Sequence, residues 1–409
     1  RAETAATQEE IPKARAGLLP QVSLAGTFTR NDLELRAPNL FGQISTNHFS
    51  YPSEVYAAQL RQPLFRYSSY AQLSYARAQA GAATAQQSNE RQQLAVKVAE
   101  SYFSVLLGLE QVRLAVAERA AYEATLASAE RSFQAGAGTL TDIADARARR
   151  DQANAKIIEA RNALAKVRRQ LEAKIGESVG LIADLDPTVL PLVPPAPDSS
   201  DEWVARAYAT SAEIEAAQKN LELARADVLR QKGQHLPTVD VIGAYQKASN
   251  ETTSSLNQRS LSSFIGVQVS IPVYSGGGVQ ASVRQALDRQ EKAEDQLEAL
   301  KRDVSVRVRE QFDNVVQGIE SVRAYEQTLR SAEEAHRATQ KGIQAGTRTS
   351  VDLLNAEAKI FDARQALAQA RLIYVLSRLR LLAFAGSLTD DEVGHVNAWL
   401  GTATAVPAR

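Results

Sequence analysis

QAGTRTSVDLLNAEA, residues 344–358, decides the fold, because QAGAGTLTDIADARA, residues 134–148, is its twin. Both open Gln-Ala-Gly, place a threonine three residues after the glycine and an aspartate three further on, and end in alanines. A spacing of 210 residues separates Gly136 from Gly346, and again Asp142 from Asp352. Each copy reads as a helix stop followed at once by a helix start. Gly136 and Gly346 suit a left-handed position just past a helix end, which glycine adopts without a steric penalty. Thr139 and Thr349 are N-caps for the next helix. Asp142 and Asp352, three residues on, complete a capping-box-like pair that the helix dipole also favours. Each copy is therefore a tight turn between two antiparallel helices, and two copies at one offset indicate a repeated architecture.

The flanking sequence agrees. From residue 67 to 134 there is no proline, and Val98, Tyr102, Val105, Leu109, Val112 and Val116 form a heptad seam. A helix of that length extends about 100 Å. After the turn, Ile143, Ala146, Ala153, Ile157, Ala160, Leu164, Val167 and Leu171 carry a return helix over 140–175, about 50 Å long. Val308, Phe312, Val315, Ile319 and Val322 fall 210 residues after their partners in the first seam. The second long helix is expected over 277–344 and its return over 350–385, along Leu353, Ala356, Ile360, Ala363, Leu367, Ala370, Tyr374 and Leu381. Residues 186–200 carry five prolines and read as a linker; 201–232 reads as a helix of about 48 Å. A return helix plus this half-length helix matches one long helix.

Each repeat also holds two stretches of period-2 alternation, the mark of strands with one apolar face. Val22, Leu24, Gly26 and Phe28 alternate with Ser23, Ala25, Thr27 and Thr29, and Tyr56, Ala58 and Leu60 alternate with Ala57, Gln59 and Arg61 before Pro63. The strands are placed at about 20–30 and 55–64, with 31–54 as a polar loop. In the second repeat Val239, Val241, Gly243 and Tyr245 mirror the first strand, and Ile265, Val267, Val269 and Ile271 run up to Pro272. These strands are placed at about 237–246 and 262–273. The division is thus a first repeat over 1–185, the linker, a second repeat over 201–386, and a short amphipathic helix with a disordered tail over 387–409. The second repeat opens with a half-helix whose counterpart would begin upstream of Arg1, so the natural protein is expected to extend beyond it.

Composition excludes several classes. Basic and acidic residues number 47 each, so no net field points to nucleic acid. Cysteine is absent, which excludes disulfides, thiolate metal sites and a cysteine nucleophile. His48, His235, His336 and His395 show no ligand spacing and read as ordinary polar residues. Gly276-Gly277-Gly278 lacks the Lys-Ser/Thr of a phosphate loop and reads as a strand-to-helix joint. No catalytic residue, metal site or cofactor is expected. No run of about 18 apolar residues is present, so a membrane role would use strands. Four strands of about ten residues can span an outer membrane but cannot close a barrel, which takes at least about eight. Three copies would supply twelve.

On these residues the chain resembles the TolC family of outer-membrane channel-tunnel proteins. AGTRTSVDLLNA (345–356) carries the resemblance most specifically, supported by HLPTVDV (235–241) and SIPVYSGGGV (270–279). The resemblance implies a mainly α, mixed α/β fold: a homotrimer with a twelve-stranded outer-membrane β-barrel, continued by a long coiled-coil α-helical barrel in the periplasm. The linker and the C-terminal helix would then form an equatorial belt. Implied partners are a periplasmic adaptor (membrane fusion) protein, an inner-membrane ABC or RND-type transporter, and outer-membrane lipid. The family's gate arginine corresponds to Arg348, with Thr141 and Asp142 as its partner pair, and its constriction ring to Asp352 and Asn355. The tips around Gly136, Thr139, Gly346 and Thr349 would contact the adaptor. Ile343 stands where the best-known member has a gating tyrosine, and Asn355 where it has a second ring aspartate. Such a duct serves type I protein secretion, the reading the tip motifs favour, or multidrug efflux; a soluble coiled-coil scaffold is the remote alternative.

Overall fold

A computed structural model describes residues 1–38, 42–186, 188–255 and 257–405. Two short helices, α1 (Ala2–Gln8) and α2 (Glu10–Ala16), precede strands β1 (Gln21–Pro38) and β2 (Ile44–Arg66). The long helix α3 (Tyr67–Gln134) and its return α4 (Leu140–Ile175) follow, then β3 (Leu181–Leu185). The second repeat runs α5 (Ser200–Thr210), α6 (Ala212–Lys232), β4 (Thr238–Ser249), β5 (Arg259–Ser270), α7 (Gly278–Gln344) and α8 (Ser350–Phe384). Helix α9 (Asp390–Asn397) and strand β6 (Leu400–Ala405) complete the described chain.

By their contacts the residues fall into two compact units, each drawing on both sequence repeats. Residues 1–87 with 215–298 form one; residues 88–214 with 299–409 form the other. The first unit holds an antiparallel sheet in the order β1-β2-β4-β5. The register places Val22, Leu60, Gly243 and Ile265 opposite one another, and likewise Leu24, Ala58, Tyr245 and Ser263. Strand alternation therefore gathers most of the large apolar residues on one face, Phe264 and Ile242 lying on the other, and the first face is open: Leu24 is 82 % exposed, Ile265 78 % and Phe28 70 %. The opposite face carries Ser23, Gln59, Thr27 and Gln268. Asp240, on that same face, is buried between two arginines, with Arg61 Nη2 at 2.6 Å and Arg66 Nη2 at 2.7 Å. Below the sheet the helices pack through small side chains. Ala71, Ala76, Ala80 and Ala85 of α3 are buried, as are Ala226 of α6 and Ala286 of α7.

The second unit is helical, with a small sheet pairing β3 to β6. Val105, Leu109, Leu164, Leu171, Val308, Val315, Ile319, Val322, Leu367 and Tyr374 are buried, as the seams require. Val116 is not: it is exposed, and the buried face of α3 passes instead through Ala115, Glu118, Tyr122 and Leu126. A heptad drifts by roughly 20° per repeat against a straight helix, and here the stripe has moved by one residue.

Four expectations need correction. Residues 31–54 are not a loop but mostly strand, since β1 and β2 pair from Gln21↔Arg61 out to Pro38↔Ile44. Backbone pairing carries the ladder past the point where apolar alternation stops. Strand β2 also continues beyond Pro63 to Arg66, through an irregularity between Pro63 and Phe65 that accommodates the missing donor. The helix read over 201–232 breaks at Ser211, whose backbone is extended. There Thr210 Oγ1 donates to the carbonyl of Ala385 at 2.7 Å, and a Cβ on Gly386 would lie 2.0 Å from the Thr210 carbonyl oxygen. The α8 terminus thus sits directly on the break. Finally, the tail read as disordered contains β6, while 406–409 lie outside the described residues.

Candidate functional site

The two hairpin tips have one backbone design, executed twice. At the first, Gly136 has φ 75°, its N–H reaches the Phe133 carbonyl at 3.0 Å, and Ala137 N–H reaches Ser132 at 2.9 Å. At the second, Gly346 has φ 72°, with Gly346 to Ile343 at 3.0 Å and Thr347 to Gly342 at 2.8 Å. This pair of bonds is the Schellman closure that satisfies the last carbonyls of a helix. The next helix is capped immediately. Thr139 Oγ1 accepts from Asp142 N at 3.2 Å, while Asp142 Oδ2 accepts from Thr139 N at 3.0 Å and from its hydroxyl at 2.6 Å. Thr349 and Asp352 repeat these bonds at 3.2, 2.9 and 3.0 Å. The residues read from sequence as stop and start are those found.

Both capping aspartates are held below the usual carboxylate range. For Asp142 the main cause is the Thr139 hydroxyl, with Ser350 of the other tip adding to it. For Asp352 it is the Thr349 amide, then the Thr349 hydroxyl and the charge of Arg348. Arg348 is exposed in the turn, and within the chain its guanidinium lies 3.9 Å from Asp352 Oδ1, at the start of the helix that follows it. Asp142 is thus brought to Ser350 rather than to Arg348, and Thr141 is exposed beside it. Asn355 accepts from Arg149 Nη2 at 3.1 Å, tying α8 to α4. Behind the tips, Tyr122, Leu126, Ala146, Ala153 and Leu354 form a buried cluster with Ile143 packed against it.

Sequence reasoning missed a set of buried polar groups just behind this cluster. Glu118 is buried on α3 and receives Lys156 Nζ of α4 at 2.8 and 3.2 Å. Tyr122 donates to it at 3.3 Å, and burial, reinforced by the Glu118 charge, pushes the Tyr122 hydroxyl up. Glu357 of α8 is buried too, accepting from Thr125 Oγ1 at 3.1 and 3.3 Å, with His336 Nε2 at 3.8 Å. His336, read as an ordinary polar residue, therefore lies beside a buried acid. The available signal was position: Glu357 adjoins Ala356 and stands four residues after Leu353, on the apolar stripe of its helix.

The fold and tips have known counterparts. The family described as "Outer membrane efflux protein" matches residues 1–177 and 203–387. The proteases secretion protein PrtF of Dickeya chrysanthemi is 30% identical over 406 residues, 98% of this chain and 87% of the relative. The alkaline protease secretion protein AprF of Pseudomonas aeruginosa is 32% identical over 389 residues, 94% of this chain and 80% of the relative. Among solved structures, the outer membrane protein VceC of Vibrio cholerae superposes with a TM-score of 0.79 at 17% identity, covering 94% of this chain and 91% of that one. The apolar open sheet face, the twinned helical hairpins and these matches agree, and the chain belongs to the outer membrane efflux protein family, of the TolC type, whose members are channels located in the outer membrane.

Proposed function

We propose that three copies of this chain form the outer-membrane exit duct of a type I protein secretion system. Substrate would pass to it from an inner-membrane ABC transporter and a periplasmic adaptor. The sheet carries this reading. Strands β1 and β5 each have one unpaired edge among the described residues, and one sheet face is apolar and open. Unpaired edges cannot sit in lipid, so the sheet must close with others, and three copies give twelve strands. The names of PrtF and AprF, both protease secretion proteins, support protein export ahead of efflux. The family description supports efflux as the second reading; the cargo would then be a drug and the transporter of the RND type.

In such a trimer Arg348 holds the hairpins inward, with Thr141 and Asp142 of a neighbouring hairpin as its partners. Three Asp352 carboxylates, with Asn355 beside them, line the constriction, and the tips at Gly136, Thr139, Gly346 and Thr349 meet the adaptor. Deleting the gene in its host tests the assignment. Loss of a protein from the culture medium with unchanged drug susceptibility is the expected result. Raised susceptibility with normal protein export would transfer the assignment to efflux.

A further inference from the structure

Glu357 is placed where a carboxylate is hard to keep charged. It lies at the junction of α3, α7 and α8, with one hydroxyl, Thr125 Oγ1, as its hydrogen-bond donor. The groups around it are otherwise engaged. On α3, Glu118 is paired with Lys156 of α4, and Tyr122 donates to Glu118. On α4, Arg149 donates to Asn355 of α8. On α7, Glu333 is paired with Arg364 of α8 at 3.1 Å, leaving His336, 3.8 Å away, as the group facing Glu357. Among the described residues no lysine or arginine is within ion-pair distance of the Glu357 carboxylate. The arrangement belongs to one hairpin only: 210 residues earlier, Glu357 and its neighbours have no equivalents, since Arg147 stands for Glu357 and Leu126 for His336.

We propose that Glu357 is a protonation-set latch between the two hairpins: as the neutral acid it lets α8 pack against Thr125 of α3 and His336 of α7, and on losing its proton to solvent it loosens that junction. A buried carboxylate without a full counter-charge is costly, whereas the neutral acid is satisfied by a hydroxyl. Burial pushes Glu357 up from 4.5 to about 7, with the Thr125 bond opposing. The sign follows from linkage. An acid that binds its proton more tightly when packed stabilises the packed state most below its unpacked value, and that stabilisation is lost as pH rises toward the packed value. The junction is therefore tightest in acid and loosens between about pH 4.5 and 7.

The latch does not depend on what is exported, and its test leaves transport out. Hydrogen exchange on the detergent-solubilised full chain, corrected for intrinsic rates, reads protection in α8 around residues 353–362 and in α3 around 120–128. Protection should fall at least about tenfold from pH 5 to pH 8. Glu357→Gln, which keeps the shape of the neutral acid, should hold the acid-level protection throughout. His336→Gln should retain the fall. A fall in Glu357→Gln equal to that of the parent would overturn the proposal, and so would a flat profile in His336→Gln, which would assign the titration to the imidazole.

Discussion

Asp352 illustrates how much one side chain at a tip is asked to do. One of its oxygens is taken by the Thr349 cap, and the other is 3.9 Å from Arg348. Replacing it with alanine would remove its half of the capping box and a charge together, so Asp352→Asn is the cleaner probe of a ring charge. That variant should lower cation selectivity in planar bilayers, while Arg348→Ala should raise single-channel conductance; no change in either would remove both residues from the entrance. Because the cap holds Asp352 below the usual range, its charge and its contribution to stability persist above the ordinary carboxylate value. They are lost only as pH falls through the depressed one. Gly342 bears on the same side chain. A Cβ there would lie 2.6 Å from Arg348 Cγ, so Gly342→Ala must displace the arginine and should move conductance in the same direction as Arg348→Ala. Thr139→Ala removes the other cap and should cost about 1 kcal/mol in unfolding experiments. The caps were legible because their chemistry is local and directional. The in-chain partner of Arg348 was not, because a flexible side chain chooses it after the turn is built.

Helices and strands were legible to different degrees for a physical reason. Both hairpin turns carry glycine, threonine and aspartate at fixed offsets, so α3 and α4 start and stop where the sequence places them. No such signal marks Ser211, where the break lies against the α8 terminus, or the β3–β6 pairing, which joins segments more than 200 residues apart. Tertiary contact decides those positions. Strands were found by their apolar alternation and underestimated where it fades, although the ladder continues to Pro38 and Ile44. Face assignment survived better, because a period of two leaves no intermediate choice. Val241 shares its face with Gly243, opposite Leu60, and Tyr245, opposite Ala58, rather than with Asp240. Lysine at Val241 should therefore cost about 2–4 kcal/mol near the bilayer midplane, read as reduced assembly and loss of heat-resistant barrel on gels. Normal assembly of that variant would argue against a lipid-facing surface.

At the scale of the molecule, a four-stranded sheet with two open edges makes oligomerisation a condition of membrane insertion. Light scattering in detergent should give three chain masses, and a stable monomer would defeat the proposed barrel. A trimer of this chain would also present six hairpin tips, and these come in two kinds. Their helix-closing backbone bonds match, yet Gly138 stands in one where Arg348 stands in the other. A partner that reads only the shape of a tip would count six equal places; one that needs a cation would count three. The number of partner molecules bound per duct is thus a measurement of whether recognition there is steric or electrostatic.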